Sequence, residues 1–109
     1  MLTASGTGGI NEIQYAALLM MIARHTGYEP GVFSHLVANE QIYDRHYEAA
    51  EEMLKRYEEQ YSENTTIKSP KPMLVLNPEK TDFYGMTIED FEMLNYNPVK
   101  PQLKLELGI

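Results

Sequence analysis

Two groups of polar side chains between residues 11 and 43 have the types and spacing that can hold a nucleotide. Asn11 opens an apolar run with helical periodicity, and its amide offers both a hydrogen-bond donor and an acceptor. Gln41 and Tyr43 end a run with strand-like alternation, so they share one face of that strand, and His46 follows three residues later. An amide at a helix start and a polar, aromatic strand end can therefore hold a nucleotide.

The helices and strands predicted around these residues indicate a mixed fold, of the α/β class in its α+β form. A helix is predicted over residues 12–26, with Asn11 as its N-cap and Gly27 as the residue that follows its end. Its apolar side chains cover most of its surface, so we expect the helix to be buried by the rest of a larger fold or by a partner chain. A strand over residues 32–43 follows.

The remainder of the chain alternates between short helices, turns and short strands. The expected elements are an amphipathic helix at 45–61 capped by Asp44, a strand at 72–76, a turn at 77–80, a short helix that starts at Thr87 with Asp90 at its third position, a turn at 95–98 and a half-buried strand at 103–107. Residues 1–10, rich in glycine, serine and threonine, are expected to be a loop. The whole chain, 1–109, is expected to be one domain without a separate second domain.

Composition limits the classes of function. The net charge of −7 argues against binding of a nucleic acid polymer, which needs a basic face, but a single nucleotide needs only one or two cations. The chain has no cysteine, which excludes a disulfide framework and a cysteine nucleophile within these residues, and its three histidines lack the spacing of a zinc site. No signal peptide or membrane span is expected. We therefore expect a cytoplasmic chain with no metal and no membrane partner.

From about residue 9 to residue 109, the order of several motifs resembles the thymidylate synthase family, which depends on folate and uses a cysteine nucleophile. The motifs that carry the resemblance are Ile10-Asn11 before Tyr15-Ala16, Met21-Ile22-Ala23, Glu29-Pro30-Gly31-Val32-Phe33, Gln41-Ile42-Tyr43 with His46, Leu76-Asn77-Pro78, Asp82-Phe83-Tyr84, Thr87-Ile88-Glu89-Asp90-Phe91, Asn95-Tyr96 and Leu107-Gly108-Ile109. The resemblance implies the C-terminal portion of a thymidylate synthase-like fold, in which a mixed sheet packs against a buried helix and an amphipathic helix.

The same resemblance implies a reaction and a set of roles. The full-length protein would methylate deoxyuridylate (dUMP) to thymidylate (dTMP) with 5,10-methylenetetrahydrofolate. Asn11 would bind the uracil edge, Tyr43 and Gln41 would bind the deoxyribose, and Ile10 and the C-terminal Ile109 would contact the folate. The partners are therefore dUMP and a reduced folate. We also expect a homodimer or higher self-association, because half of a fold exposes apolar surface.

Departures from the family pattern limit what this chain does alone. Gln41 stands where the family has a histidine, and Ile10 stands where it has an aromatic residue. The family's cysteine and phosphate-binding arginines precede the matched portion, and family spacing places its arginine-serine motif just before Met1. The chain alone is therefore expected to be inactive and to bind dUMP weakly or not at all. Two alternatives are a non-catalytic nucleotide-binding or self-associating domain that reuses half the fold, and a related deoxynucleotide hydroxymethylase. Asn11 disfavours only the cytosine branch of the latter.

Overall fold

The computed structural model describes residues 10–61 and 70–106 of the chain. Its elements, in chain order, are helix α1 (Ile10–Thr26), a 3-10 turn (Asp44–His46), helix α2 (Tyr47–Tyr61), strand β1 (Met73–Leu76), two further 3-10 turns (Phe83–Gly85 and Ile88–Asp90) and strand β2 (Phe91–Leu94). Two helices and a small antiparallel sheet confirm the predicted α+β class. The sheet that these residues form has two strands and is antiparallel, whereas a mixed sheet was expected.

The chain divides into two compact units, which are described separately below. The sheet unit consists of Asn11–Leu36 and Lys71–Asn97. The Tyr43 unit contains, among the described residues, 37–61 and 98–106, together with Ile10 and Pro70. The expectation of a single domain over the whole chain stays a prediction. None of the described helices is long and apolar enough to cross a membrane.

Helix α1 ends as its sequence predicts but begins earlier. The N–H of Gly27 donates to the carbonyl of Arg24 at 3.4 Å, and the N–H of Tyr28 donates to that of Ala23 at 2.9 Å. Gly27 has a positive φ of 78°, which glycine adopts without steric cost and which this type of helix ending requires. The prediction of Asn11 as the N-cap is wrong, because Ile10 is already helical and Asn11 therefore lies in the first turn.

The burial of α1 differs from the expected buried helix. Ala23 is its only buried residue, and Ile13, Tyr15 and Ile22 remain about half exposed. Less exposed positions recur at Ala16, Met20 and Ala23, a spacing that marks a single face. The sheet unit therefore covers one side of a helix that is apolar on most sides.

The predicted strand at 32–43 is absent. Residues 28–43 contain no strand, and residues 31–42 are all exposed. A strand forms only when its backbone groups bond to a neighbouring strand, and the strand pairs found within the described residues join β1 to β2 alone. The described part of the predicted strand at 103–107 is likewise not a strand, although Leu103 and Leu105 are half-buried between exposed neighbours, as the alternation predicted.

The two-stranded sheet and the chain that connects its strands contribute to the small core of the sheet unit. β1 and β2 pair antiparallel with Met73 opposite Leu94 and Leu76 opposite Phe91. The predicted strand at 72–76 is thus confirmed, while β2 was not predicted. The predicted turn at 77–80 is also confirmed, since the N–H of Lys80 donates to the carbonyl of Asn77 at 3.1 Å. The buried apolar side chains described in this unit are Ala23, Leu76 and Met86.

In the Tyr43 unit, the amphipathic helix predicted at 45–61 is observed as α2, preceded by the turn Asp44–His46. Asp44 is not its cap. The residue before the turn is Tyr43, whose side chain makes no capping hydrogen bond, and Asp44 is the first residue of the turn itself. An acidic side chain there still interacts favourably with the partial positive charge at the start of a helical segment.

Candidate nucleotide site

The structure brings two of the predicted nucleotide-binding residues to one cavity. Gln41 and Tyr43 line it together with Ile42, Asp44 and Arg45, and its volume is about 430 Å³. That volume could admit a small molecule, but the cavity is largely open to solvent. Gln41 and Tyr43 therefore border the same space, although the strand expected to carry them does not form. That they act on the same ligand stays a prediction.

The local backbone explains how these side chains come to share a cavity. The cavity is lined by the consecutive residues 41–45, and Tyr43 among them has an extended conformation, with φ −72° and ψ 146°. Immediately afterwards the chain turns, because the N–H of His46 donates to the carbonyl of Tyr43 at 2.8 Å. The cavity thus lies at the corner where an extended segment becomes helical.

His46 is the residue of this corner that the prediction of site residues omitted. Its side chain is 5% exposed, its Nε2 lies 2.8 Å from the carbonyl oxygen of Glu106, and its ring centroid lies 5.5 Å from that of Tyr43. The spacing of three residues from Tyr43 was visible in the sequence. The contact with Glu106, sixty positions away, carried no local signal.

A second side chain fastens the segment that contains Glu106. Arg56 on α2 donates from Nη1 to the carbonyl oxygen of Pro101 at 2.8 Å. Its Nε is held at 2.7 Å by a carboxylate oxygen of Glu52, one turn earlier in the helix. The acid precedes the base by four residues in this ion pair, a spacing that stabilises a helix modestly. Residues 98–106 are therefore attached both to α2 and to the corner that carries Tyr43.

Asn11 and Ile10 occupy the start of α1. Both are exposed, and Ile10 is 51% exposed. Beside them, a carboxylate oxygen of Glu12 lies 3.0 Å from Nδ1 of His35 within the sheet unit. The contact of Asn11 with a uracil edge and that of Ile10 with a folate stay predictions. Ile109, the other residue expected at the folate, lies outside the described residues.

Other ionisable groups in the sheet unit have structural roles. Nδ1 of His25 accepts the N–H of Phe83 at 3.0 Å and so joins the end of α1 to the turn Phe83–Gly85. The Thr87 N–H donates to Oδ2 of Asp90 at 2.8 Å, and this bond is the main reason that the pKa of Asp90 is lowered from its ordinary value of 3.8. Within the described residues, no group of three or more histidine and acidic side chains is arranged to hold a metal ion.

Comparison with known proteins relates the chain to a family. The sequence model described as thymidylate synthase matches residues 6–109. The thymidylate synthases of Streptococcus suis and Streptococcus sanguinis are each 48% identical to the chain over 101 residues, and that of Streptococcus mutans is 50% identical over 101 residues. No solved structure matches significantly.

The extent of these matches shows which part of the relatives the chain represents. Each alignment covers 92% of this chain and 33% of the relative. The chain therefore spans about a third of the length of the curated relatives that it matches. The match extends over residues 6–109, so the chain belongs to the thymidylate synthase family and corresponds to a C-terminal portion of it.

Proposed function

We propose that this chain supplies the C-terminal part of a thymidylate synthase. The full-length protein would methylate dUMP to dTMP, with 5,10-methylenetetrahydrofolate as the co-substrate that provides the one-carbon unit and the hydride. The observation that carries the proposal is the family match over residues 6–109. The shared cavity of Gln41 and Tyr43 supports it, because these are the residues to which the family resemblance assigns the sugar.

The residue roles follow from the hydrogen bonds that each side chain can form. The Tyr43 hydroxyl donates and accepts, which suits the deoxyribose hydroxyl, and the Gln41 amide can donate beside it in place of the family histidine. The Asn11 amide offers a donor for uracil O4 and an acceptor for N3–H. Ile10, exposed at the first residue of α1, and Ile109 would make apolar contacts with the folate.

The 109 residues alone should not catalyse the reaction. Covalent activation of the uracil ring requires a thiolate that attacks C6, and the chain contains no cysteine. The family's phosphate-binding arginines also belong to a portion that precedes the matched one. The chain therefore contributes part of the nucleotide site and of the folate site, while the reacting group comes from the remaining portion.

An assay of the purified chain tests this division. We expect no dTMP when the chain is incubated with dUMP and 5,10-methylenetetrahydrofolate and the products are separated by chromatography. The intact thymidylate synthase of Streptococcus suis is the positive control for the assay. Formation of dTMP by the 109 residues alone would show that the proposed division is wrong.

The second candidate function is a non-catalytic, self-associating domain. It is favoured by the apolar side chains that α1 leaves exposed, among them Ile13, Leu18 and Ile22. Large exposed apolar patches are usually interfaces. This candidate predicts self-association without any response to dUMP, whereas a thymidylate synthase portion should bind its remaining portion.

A further inference from the structure

We propose that His46 is a positioning residue for the nucleotide site. It joins the corner that carries Tyr43 to the segment 98–106 through one side-chain hydrogen bond. The conformation of the Tyr43 corner and that of the segment therefore depend on each other. The proposal rests on the proposed function in one respect, because the sugar-binding role of Tyr43 comes from there. The contacts that carry it all lie within the Tyr43 unit.

The proton on the His46 ring is determined by its partner. The carbonyl oxygen of Glu106, 2.8 Å from Nε2, can only accept a hydrogen bond, so Nε2 must donate. In the neutral ring Nδ1 is then an acceptor, and it is buried with no hydrogen-bond partner among the residues that the structure describes. An apolar side chain would fill this place without leaving an unpaired nitrogen, but it could not hold Glu106.

His46 contacts Tyr43 in two ways. The ring centroids are 5.5 Å apart with their planes inclined by 33°, and the backbone N–H of His46 donates to the Tyr43 carbonyl at 2.8 Å. The ring of His46 therefore limits where the Tyr43 phenol can point, and its backbone N–H holds the Tyr43 carbonyl in the turn. Since Tyr43 lines the cavity, this fixes one wall of the candidate sugar site.

The segment that His46 holds is the one that leads to the expected folate contact. Ile109 follows Glu106 by three residues in the sequence. Arg56 already fastens the segment at Pro101, and Leu103 and Leu105 are half-buried along it. The bond from His46 is thus the last described attachment before the residues that the family resemblance assigns to the folate.

Two substitutions of nearly equal polarity separate this role from simple packing. The amide of His46→Gln can reach the place of Nε2 and donate to Glu106, whereas the shorter amide of His46→Asn takes the place of Nδ1 and cannot. In NMR spectra of the full chain, we expect neutral His46 to carry its proton on Nε2. We expect His46→Asn to shift the Glu106 carbonyl signal and to reduce hydrogen-exchange protection of the residue-46 amide by about tenfold, with both restored in His46→Gln.

Three results would overturn the proposal. A proton on Nδ1 of the wild-type ring overturns the proposal without any variant, even if His46→Asn fails to fold. So does an unchanged Glu106 signal in His46→Asn, or an identical response to both substitutions, since a purely structural role would not distinguish the two amides.

Adding dUMP to the wild-type chain distinguishes this proposal from the proposed function. We expect the signals of Tyr43 and Glu106 to shift together as dUMP is added at high concentration. A shift at Tyr43 alone would overturn the coupling and leave the nucleotide site standing. No shift at either residue would count against a residual nucleotide site in the lone chain, and the coupling would then be decided by the variants without ligand.

Discussion

Single residues show both what the sequence revealed and what it could not. The two-residue spacing of Gln41 and Tyr43 predicted that they share one face of a strand. They line one cavity, but the strand does not form and the intervening Ile42 lines the same cavity. The role of His46 could not be predicted, since its partner Glu106 lies sixty positions away and a carbonyl group is present in every residue. Asn11 was placed at the start of the first helix correctly, but as a cap wrongly.

The carboxyl group of Asp90 makes the folding stability of the sheet unit depend on pH. Its carboxylate, 9% exposed, accepts the Thr87 N–H and lies 4.0 Å from Nζ of Lys80, and its pKa is lowered in the folded chain, chiefly by the Thr87 bond. Because folding lowers this pKa from its ordinary value of 3.8, the ionised carboxylate stabilises the fold at pH values above 3.8. This contribution is lost as the pH falls from 3.8 towards the lower pKa of the folded chain.

We therefore expect the thermal unfolding midpoint of the sheet unit to fall on acidification below about pH 5, and Asp90→Asn to make the midpoint less dependent on pH. Unfolding can be followed through NMR signals of β1. Glu89→Gln, which removes a charge from the neighbouring exposed position, is the matched control and should retain the dependence of the parent. An equally steep dependence in Asp90→Asn would contradict the role of this carboxylate.

Secondary-structure elements were predicted well where the determinants are local. Helix α2 and the ending of α1 at Gly27 follow from periodicity and turn chemistry that lie within each segment. The strand at Met73–Leu76 was also predicted, and it forms because β2 pairs with it. The strand at 32–43 failed because a strand depends on a neighbour. The strand β2 was missed because Thr87 and Asp90 predicted a helix, and only one 3-10 turn forms before the chain pairs with β1.

The sheet unit should depend strongly on Leu76, which is 2% exposed and is the most buried of its apolar side chains. Leu76→Ala leaves a cavity beside β2, and we expect the free energy of unfolding to fall by about 2–5 kcal/mol. Met73→Ala, at the other end of the same strand and 59% exposed, should change it by about 0.5 kcal/mol or less. Equal losses in the two variants, measured by chemical denaturation, would show that Leu76 is not a core residue.

The molecule as a whole exposes apolar surface that a folded domain normally covers. Ile13, Leu18 and Ile22 of α1 are between 38% and 48% exposed, although their pattern predicts a helix covered on most sides. The chain also spans about a third of its curated relatives. Both facts fit a portion whose helix packs against further parts of the same fold.

In isolation the chain should therefore self-associate. We expect sedimentation at micromolar concentration to show dimers or larger species. Ile22→Glu should shift the distribution towards monomer, because it places a charge in the apolar surface. Gln14→Glu adds the same charge at an exposed polar position of the same helix and should leave association unchanged. A wild-type chain that is monomeric throughout would contradict the inference that this surface is an interface.

Reconstitution of activity from two portions tests the central claim most directly. The 109-residue chain would be mixed with the part of the Streptococcus suis enzyme that it does not match, which would supply the cysteine, and dTMP formation from dUMP and 5,10-methylenetetrahydrofolate would be measured. We expect no dTMP from either portion alone, formation by the mixture, and a reduced rate when the chain carries Tyr43→Phe. Absence of dTMP from a mixture in which the two portions associate would contradict the claim that this chain completes a thymidylate synthase.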